Sequence, residues 1–285
     1  MKVWNNVAII GVGLIGGSIG LALLERGLTR SVIGIGRRSA SLRKARRRGA
    51  VTSTTTQLAR GVADADLIVV CTPIENIVEH TLQAAAACRP GTLITDVGST
   101  KASIVDALDR QLNQLPDRRA TYVGSHPMAG SEKTGVQHAR PDLFERRVVV
   151  VTPSRRTPAA ARNSIEALWK SVGAVLVRKS PQAHDRTVAA ISHLPHLAAA
   201  ALAATALPDE LPLVGGGWLD TTRVAAGDVE LWRQILRDNR QHVLNSLSRF
   251  EKVLGSYRRA LESISDKQLI QLLERGKHNR DAVGD

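Results

Sequence analysis

Through the first 180 positions, short apolar runs closed by Gly, Asp or Thr alternate with longer stretches of helical periodicity. The runs are four or five residues long, rich in Val and Ile, and lack polar alternation, which suits strands buried on both faces. They predict strands at residues 7–10, 32–35, 67–71, 93–96, 122–125, 148–152 and 174–178. Residues 14–26 read as a helix stopped by Gly27 at a C-cap position. Residues 158–172 read as another, with Pro158 near its start, where a missing N–H costs nothing. Such alternation predicts an α/β domain, a parallel sheet wrapped by helices. After Ser180 the pattern changes: 181–206, 228–254 and 266–275 carry helical periodicity and no strand signal. Breaks are expected at Pro195, between Pro208 and Pro212, and at Gly215-Gly216-Gly217. The expected division is an α/β domain over 1–179 and an all-helical domain over 180–285. The Ala-rich stretch 198–206 allows close helix approach, in an internal core or at a subunit interface.

Composition narrows the class. A hydrophobic content of 43% fits a globular chain without long disordered portions. Cys71 and Cys88 lie far from any CxxC spacing, as expected in a reducing compartment. No uninterrupted apolar segment reaches the ~18 residues of a membrane helix, and the first apolar run is broken at once by glycines, unlike a signal peptide. A cytoplasmic protein without a membrane partner is expected. The net charge of +13 raises nucleic acid as a partner. Aromatics make up only 3%, too few to interleave stacking platforms with the charges, and no helix-turn-helix or zinc-finger spacing is present. The basic residues, densest from Arg43 to Arg48, therefore read as a solvated surface or as a field for anionic ligands.

The most specific local signal is Gly11-Val12-Gly13-Leu14-Ile15-Gly16, set between a predicted strand and a predicted helix. Gly11 permits a tight turn, Gly13 lets backbone approach a pyrophosphate, and Gly16 lets the helix pack near the strand. The helix start at Leu14 and Ile15 offers free N–H groups to phosphate. This is the fingerprint of a Rossmann-type dinucleotide-binding domain. An NAD-preferring site places an acid at the end of the second strand; here Gly36 is followed by Arg37, Arg38 and Ser39. Two guanidiniums and a hydroxyl suit a 2′-phosphate, so NADP is expected in preference to NAD. Thr72 and Pro73 fit a loop beside the dinucleotide, and Gly98 and Ser99 open a helix after another strand. Thr72 and Ser99 also fit ordinary helix caps.

His126, in Gly124-Ser125-His126-Pro127, is expected at the carboxyl end of a strand, where a general base would work; a structural histidine fits equally. Ser192-His193-Leu194-Pro195-His196 offers two histidines at i and i+3, but no nearby carboxylate or cysteine completes a metal set, and no metal is expected. One histidine is expected to pack and the other to face the interdomain cleft. Arg223, after the flexible Gly215–Gly217 run, could clamp a carboxylate bidentately or pair with Asp220 or Asp228.

Together the blocks GVGLIGGSIG, DVGSTK, GSHPMAGSEKTG, SHLPH and GGGWLDTTR resemble, in order and spacing, the prephenate dehydrogenase family, which includes arogenate and cyclohexadienyl dehydrogenases. The resemblance covers most of the chain. It implies oxidative decarboxylation of a cyclohexadienol, with His126 accepting the proton of the ring C4 hydroxyl as hydride leaves C4. It implies that Ser99 bonds that hydroxyl or His126, that Arg223 binds a substrate carboxylate, and that His196 and Ser192 face the side-chain end. Glu132 is implied near the entrance as a gating residue. The substrate would be a dicarboxylate, prephenate or arogenate, and the helical domain would form a homodimer. Without a separate regulatory domain, feedback by tyrosine would act near the active site.

Two rivals make different demands. A β-hydroxyacid dehydrogenase would need a catalytic lysine early in the second domain, and residues 181–206 contain none. A dinucleotide-sensing nucleic-acid binder would show salt-dependent DNA binding and no turnover.

Overall fold

The computed structural model describes residues 4–115, 120–130 and 133–284. Its first part is built on β1 (Trp4–Ile10), α1 (Leu14–Glu25), β2 (Thr29–Ile35), α2 (Ser39–Arg47), β3 (Ser53–Thr55), α3 (Leu58–Val62), β4 (Leu67–Val70) and α4 (Ile74–Ala87). It continues through β5 (Thr92–Asp96), α5 (Ala102–Gln111), β6 (Ala120–Pro127), β7 (Val148–Thr152), α6 (Ala159–Ser171) and β8 (Val175–Arg178). The strands form one eight-stranded sheet in the order β3-β2-β1-β4-β5-β6-β7-β8. The two sides of each strand feed different cores. Val7 and Ile9 of β1 join one apolar cluster with Ile19, Phe144 and Trp169, while Ala8 and Ile10 join another with Ile68, Val70 and Ile94. Burial on both faces explains why the strand segments read as unbroken apolar runs.

Each predicted strand is present, and two features differ from expectation. The short β3 escaped notice because its three residues, Ser53 to Thr55, are polar or half-buried at the sheet edge. The sheet is also not wholly parallel: β6 and β7 pair antiparallel, with His126 opposite Val150. The long excursion from Met128 to Arg147 returns the chain from the carboxyl end of β6 directly into β7, so no crossover helix is needed.

The strand order reverses between β1 and β4, and in such sheets the crevice beyond the strand ends at that point receives ligands. Gly11 and Cys71, the residues after β1 and β4, meet there: the Cys71 amide donates to the Ile10 carbonyl at 2.7 Å.

The second part is helical: α7 (Pro181–Val188), α8 (Leu194–Thr205), α9 (Gly216–Thr222), α10 (Val229–Asp238), α11 (Arg240–Glu262) and α12 (Asp266–Asp281). Ser180 caps α7 by accepting from the Ala183 amide at 3.2 Å. Pro195 does not end the helical rod as expected. A π-turn, residues 189–193, joins α7 to α8, so one rod runs from Pro181 to Thr205. Proline can neither donate to the carbonyl four residues back nor tolerate its closeness, and the wider π-turn relieves both conflicts. By length and mean hydropathy (1.4) this rod is apolar enough to cross a bilayer; here it carries His184 and Asp185 buried against the first part and His193 and His196 buried against Asn239 and Trp232 of the second. The glycine run does not simply break the chain either, since Gly216 and Gly217 open α9. Among the contacts that tie the parts together, Ser103 of α5 donates to Asp238 at 2.7 Å, and Arg233 of α10 pairs with Glu75 of α4 at 2.8 Å.

Candidate active site

The crevice at the β1/β4 switch point is a cleft of about 700 Å³. Gly11 sits at φ +94°, and a Cβ there would lie 2.6 Å from the Cys71 carbonyl oxygen, so only glycine fits. Gly13 is the N-cap of α1, with open space where a side chain would stand. No side chain caps α1, leaving its first N–H groups and the positive end of its dipole directed at the cleft. Both features fit a bound pyrophosphate. Arg37 and Arg38 line the cleft beyond β2, joined by Ser41 and Lys44 of α2, and among the described residues no acidic side chain lines it. Thr72 and Pro73 form the opposite wall with Asn76, His80 and Gln83 of α4. His80 bonds Thr72 through Nδ1 at 3.1 Å; burial, opposed by Glu79 and aided by Arg37, holds its pKa below the usual value.

The side chains of Ser39, Leu14 and Ile15 and the positions of Gly16 and Gly98 lie outside the lining of this cleft. Ser39 begins α2, but the α2 hydroxyl lining the cleft belongs to Ser41, two residues along the helix. A Cβ on Gly16 would lie 2.3 Å from the Gly11 carbonyl, so this glycine serves the strand–helix packing. Ile15 packs on the apolar cluster, and Leu14 lines a separate cavity with Met128 and Arg147. Gly98 is buried, its amide donating to Asp96 at 2.9 Å and its missing side chain making room for Ile77.

Ser99 is held on a loop by an extensive buried network. Asp96, the last residue of β5, forms an ion pair with Lys101, and both side chains are fully buried. Asp96 also accepts from Tyr122 Oη at 2.8 Å, Gly98 N at 2.9 Å and Ser125 N at 3.2 Å. Five residues of loop are thereby pinned between the strand and α5. Ser99 is half-buried, and its hydroxyl makes no hydrogen bond among the described residues.

His126 lies within β6 rather than after it, two residues beyond Gly124. Its Nδ1 meets Nε2 of His184 at 2.9 Å, not Ser99. His184 Nδ1 in turn meets Asp185 Oδ1 at 2.7 Å. Burial first, then the electrostatic influence of His184, Lys101 and His193, presses the His126 pKa well below the ordinary histidine value. The ring is therefore neutral at pH 7. For Asp185, burial opposes ionisation, but the bond from His184 and the amides of Ala102 and Lys101 outweigh it and hold the carboxyl low.

On α8, His196 stacks on Trp232 with ring centroids 3.6 Å apart, leaving Nδ1 buried and without a partner. Gly227 makes this stack possible, since a Cβ there would meet Trp232 Nε1 at 2.7 Å. His193 Nδ1 meets Asn239 at 3.2 Å, and its Nε2 lacks a partner; burial, together with His184 and His196 and against Asp185, lowers its pKa to about 4. Both histidines are buried, His193 against Asn239 and His196 against Trp232. Ser192, in the π-turn, is half-buried. Arg223 is exposed beside Val224, whose backbone bonds His196. Neither Asp220 nor Asp228 pairs with Arg223 among the described residues; Asp228 instead caps α10 through the Leu231 amide at 2.8 Å. Glu132 lies outside the described residues.

Sequence reasoning missed Asp96, Lys101, His184, Asp185 and Asn239. Asp96 and Lys101 stood inside the DVGSTK block. His184 and Asp185 lay upstream of SHLPH on the same rod, in register to share its buried face only once the π-turn is known.

A dinucleotide cleft at a sheet's switch point, next to a buried neutral histidine, defines a nicotinamide-dependent oxidoreductase. The chain matches the family description "Prephenate dehydrogenase, nucleotide-binding domain" over residues 19–178 and "Prephenate dehydrogenase, dimerization domain" over 180–275. It is 32% identical to a prephenate dehydrogenase of Bacillus subtilis, across 98% of this chain and 76% of that protein. It is 30% identical to a cyclohexadienyl dehydrogenase of Zymomonas mobilis, across 99% and 97%. A crystal structure of prephenate dehydrogenase from A. aeolicus with hydroxyphenyl propionate and NAD+ superposes with a TM-score of 0.90 at 30% identity, covering 98% of each chain. The chain belongs to the prephenate dehydrogenase family.

Proposed function

We propose that the chain oxidises and decarboxylates prephenate, arogenate or both, with NADP as the preferred acceptor, in tyrosine biosynthesis. The observation that carries this reading is the state of His126: buried, neutral, one nitrogen committed to His184 and Nε2 left for a substrate hydroxyl. Bound nicotinamide supplies the hydride acceptor. His126 Nε2 takes the C4 hydroxyl proton, so a ketone forms at C4 as hydride departs. The ring carboxylate then leaves as carbon dioxide, and its bonding electrons complete an aromatic ring. Ser99, with an uncommitted hydroxyl on a pinned loop, orients the C4 hydroxyl. Arg223 binds a carboxylate, a role supported by its freedom from either neighbouring aspartate. His196 and Ser192 face the substrate side chain, and Glu132 gates the entrance.

Gly11, Gly13 and the start of α1 at Leu14 and Ile15 receive the pyrophosphate. Gly16 and Gly98 shape the backbone around it, and Thr72 and Pro73 flank the adenosine. The preference for NADP rests on Arg37 and Arg38, supported by Ser41 and Lys44; Ser39 serves through the start of α2. The chain divides at Lys179 and Ser180, and its helical part forms a homodimer in the cytoplasm. That reading draws on the exposed apolar side chains of this part, including Leu213, Val229, Ile264 and Ile270.

Steady-state kinetics with prephenate and arogenate, each against NAD and NADP, test the proposal. The expected result is turnover with at least one substrate and a kcat/KM ratio for NADP over NAD above one. A ratio below one overturns the cofactor preference, and no turnover with either substrate overturns the reaction.

A further inference from the structure

The described side chains behind His126 form a continuous chain of hydrogen bonds that crosses from one domain to the other. His126 belongs to β6, whereas His184 and Asp185 are consecutive residues on α7, and all three are buried. The rings of His126 and His184 have centroids 5.1 Å apart and planes at 70°, a separation that fits an N–H directed at a ring nitrogen. Beyond His184, the Asp185 carboxylate is fully committed. Oδ1 also accepts from the Lys101 amide at 2.8 Å, and Oδ2 accepts from the Ala102 amide at 2.8 Å. These are the first amides of α5, which follows the Ser99 loop, so Asp185 caps a helix of the other domain. The backbone of Asp185 is fixed as well, its carbonyl accepting from Asn239 at 2.8 Å.

The direction of these bonds follows from the acceptor at the end. An ionised carboxylate only accepts, so His184 must donate through Nδ1. In the neutral form of His184 that donates through Nδ1, Nε2 carries a lone pair. His126 must donate to it through Nδ1, which leaves its own lone pair at Nε2. A base needs that lone pair facing its substrate.

We infer that His184 and Asp185 are positioning residues. They fix His126 in the Nδ1–H tautomer and stabilise its imidazolium as it forms, and through the α5 cap they do so only when the two domains are docked. The inference rests on the reading of His126 as the base. No proton need travel to Asp185: when Nε2 is protonated, the bonds from Nδ1 to His184 and from His184 to the carboxylate strengthen without changing owner. The arrangement shares the logic of an aspartate orienting a catalytic histidine, with a second imidazole interposed. Among the described residues, Lys101, Asp96 and His193 are the other charged or titratable groups near His126, and none of them is hydrogen-bonded to it.

The test combines nitrogen-15 NMR of histidine-labelled protein with kinetics of His184→Phe, His184→Gln and Asp185→Asn. In the wild-type protein His126 should be protonated at Nδ1 and not at Nε2. His184→Phe keeps a ring against His126 but cannot accept its proton, and kcat should fall about 10²- to 10⁴-fold with KM changed by less than about threefold. Glutamine has an acceptor oxygen, so His184→Gln should recover at least about tenfold of that loss. Asp185→Asn should let His126 populate the Nε2–H form and lower kcat comparably. Because the pair acts through His126, His126→Asn combined with Asp185→Asn should be no slower than His126→Asn alone.

A wild-type His126 protonated at Nε2 overturns the inference, whether or not any variant folds. So does a folded His184→Phe or Asp185→Asn enzyme with kcat within about threefold of wild type. Full activity in His126→Asn would instead overturn the base assignment, while the tautomer measurement would still judge the geometry.

Discussion

The ion pair of Asp96 and Lys101 allows the energetic argument to be worked through. Both side chains are fully buried, and removing one member of such a pair typically costs about 3–5 kcal/mol because the other charge is stranded. The two removals should not be equal. In Lys101→Met, Asp96 keeps its bonds from Tyr122, Gly98 and Ser125, which places the cost near the lower end, about 3 kcal/mol. In Asp96→Ala, Lys101 loses its ion-pair partner, and three donors lose their acceptor at about 1–3 kcal/mol each where they stay buried. The loss should exceed about 5 kcal/mol, comparable to the whole stability of a marginal protein. Urea unfolding followed by tryptophan fluorescence reads both variants; Trp169, buried and donating to Ser125 at 3.1 Å, sits beside the network. Lys101→Met should fold with a lowered midpoint, and Asp96→Ala should be largely unfolded in buffer. Kinetics give a second readout. Lys101 helps depress the His126 pKa, so in Lys101→Met the acidic limb of kcat/KM should move to higher pH. A larger loss for Lys101→Met than for Asp96→Ala would refute the reasoning. So would losses below about 1 kcal/mol in both, the value of an exposed pair.

Other outcomes follow from the same geometry. Replacing Arg37 with Asp and Arg38 with Ser should lower kcat/KM for NADP by at least about tenfold, the loss of a charge-assisted contact worth about 1.5–3 kcal/mol, while NAD is retained or improved; equal losses for both cofactors would contradict the assignment. Arg223→Ala should raise substrate KM by about tenfold or more with a smaller change in kcat, and an unchanged KM would remove the carboxylate contact. Stability should fall with acid. His193 and His126 are held below the unfolded value of 6.5, so the fold favours their neutral forms. Their contribution is complete above pH 6.5 and is lost as pH falls through the folded values. For His193, with a folded pKa of about 4, that amounts to about 3 kcal/mol between pH 6.5 and 4. Urea midpoints that stay flat over this window would contradict the burial argument.

The parts of the protein that the sequence revealed are those governed by local rules. Strands buried on both faces announce themselves as apolar runs, and Gly11, Gly13 and Gly16 mark a turn whose geometry excludes side chains. The polar edge strand β3 has no such signature, and the antiparallel pairing of β6 and β7 depends on where the excursion after Met128 re-enters the sheet. Pro195 misled for a related reason: a proline breaks an α-helix, but a π-turn one residue upstream absorbs the conflict. At the site, Arg37, His126 and Arg223 stood out because charge or imidazole chemistry in a loop-rich setting is unusual. His184 and Asp185 did not, since their meaning lies in contacts to β6 and α5, more than 50 residues away in sequence. Lys101 carried no local sign of burial, and it is fully buried because Asp96 receives it.

The central claim is that His126 is the proton acceptor in an oxidative decarboxylation. It is tested most directly by kcat of His126→Asn, measured as reduced nicotinamide formed at saturating substrate and cofactor. The asparagine side chain cannot take the C4 hydroxyl proton at neutral pH, so kcat should fall by about 10²- to 10⁴-fold, with substrate KM nearly unchanged. A folded His126→Asn enzyme that turns over at the wild-type rate would contradict the account.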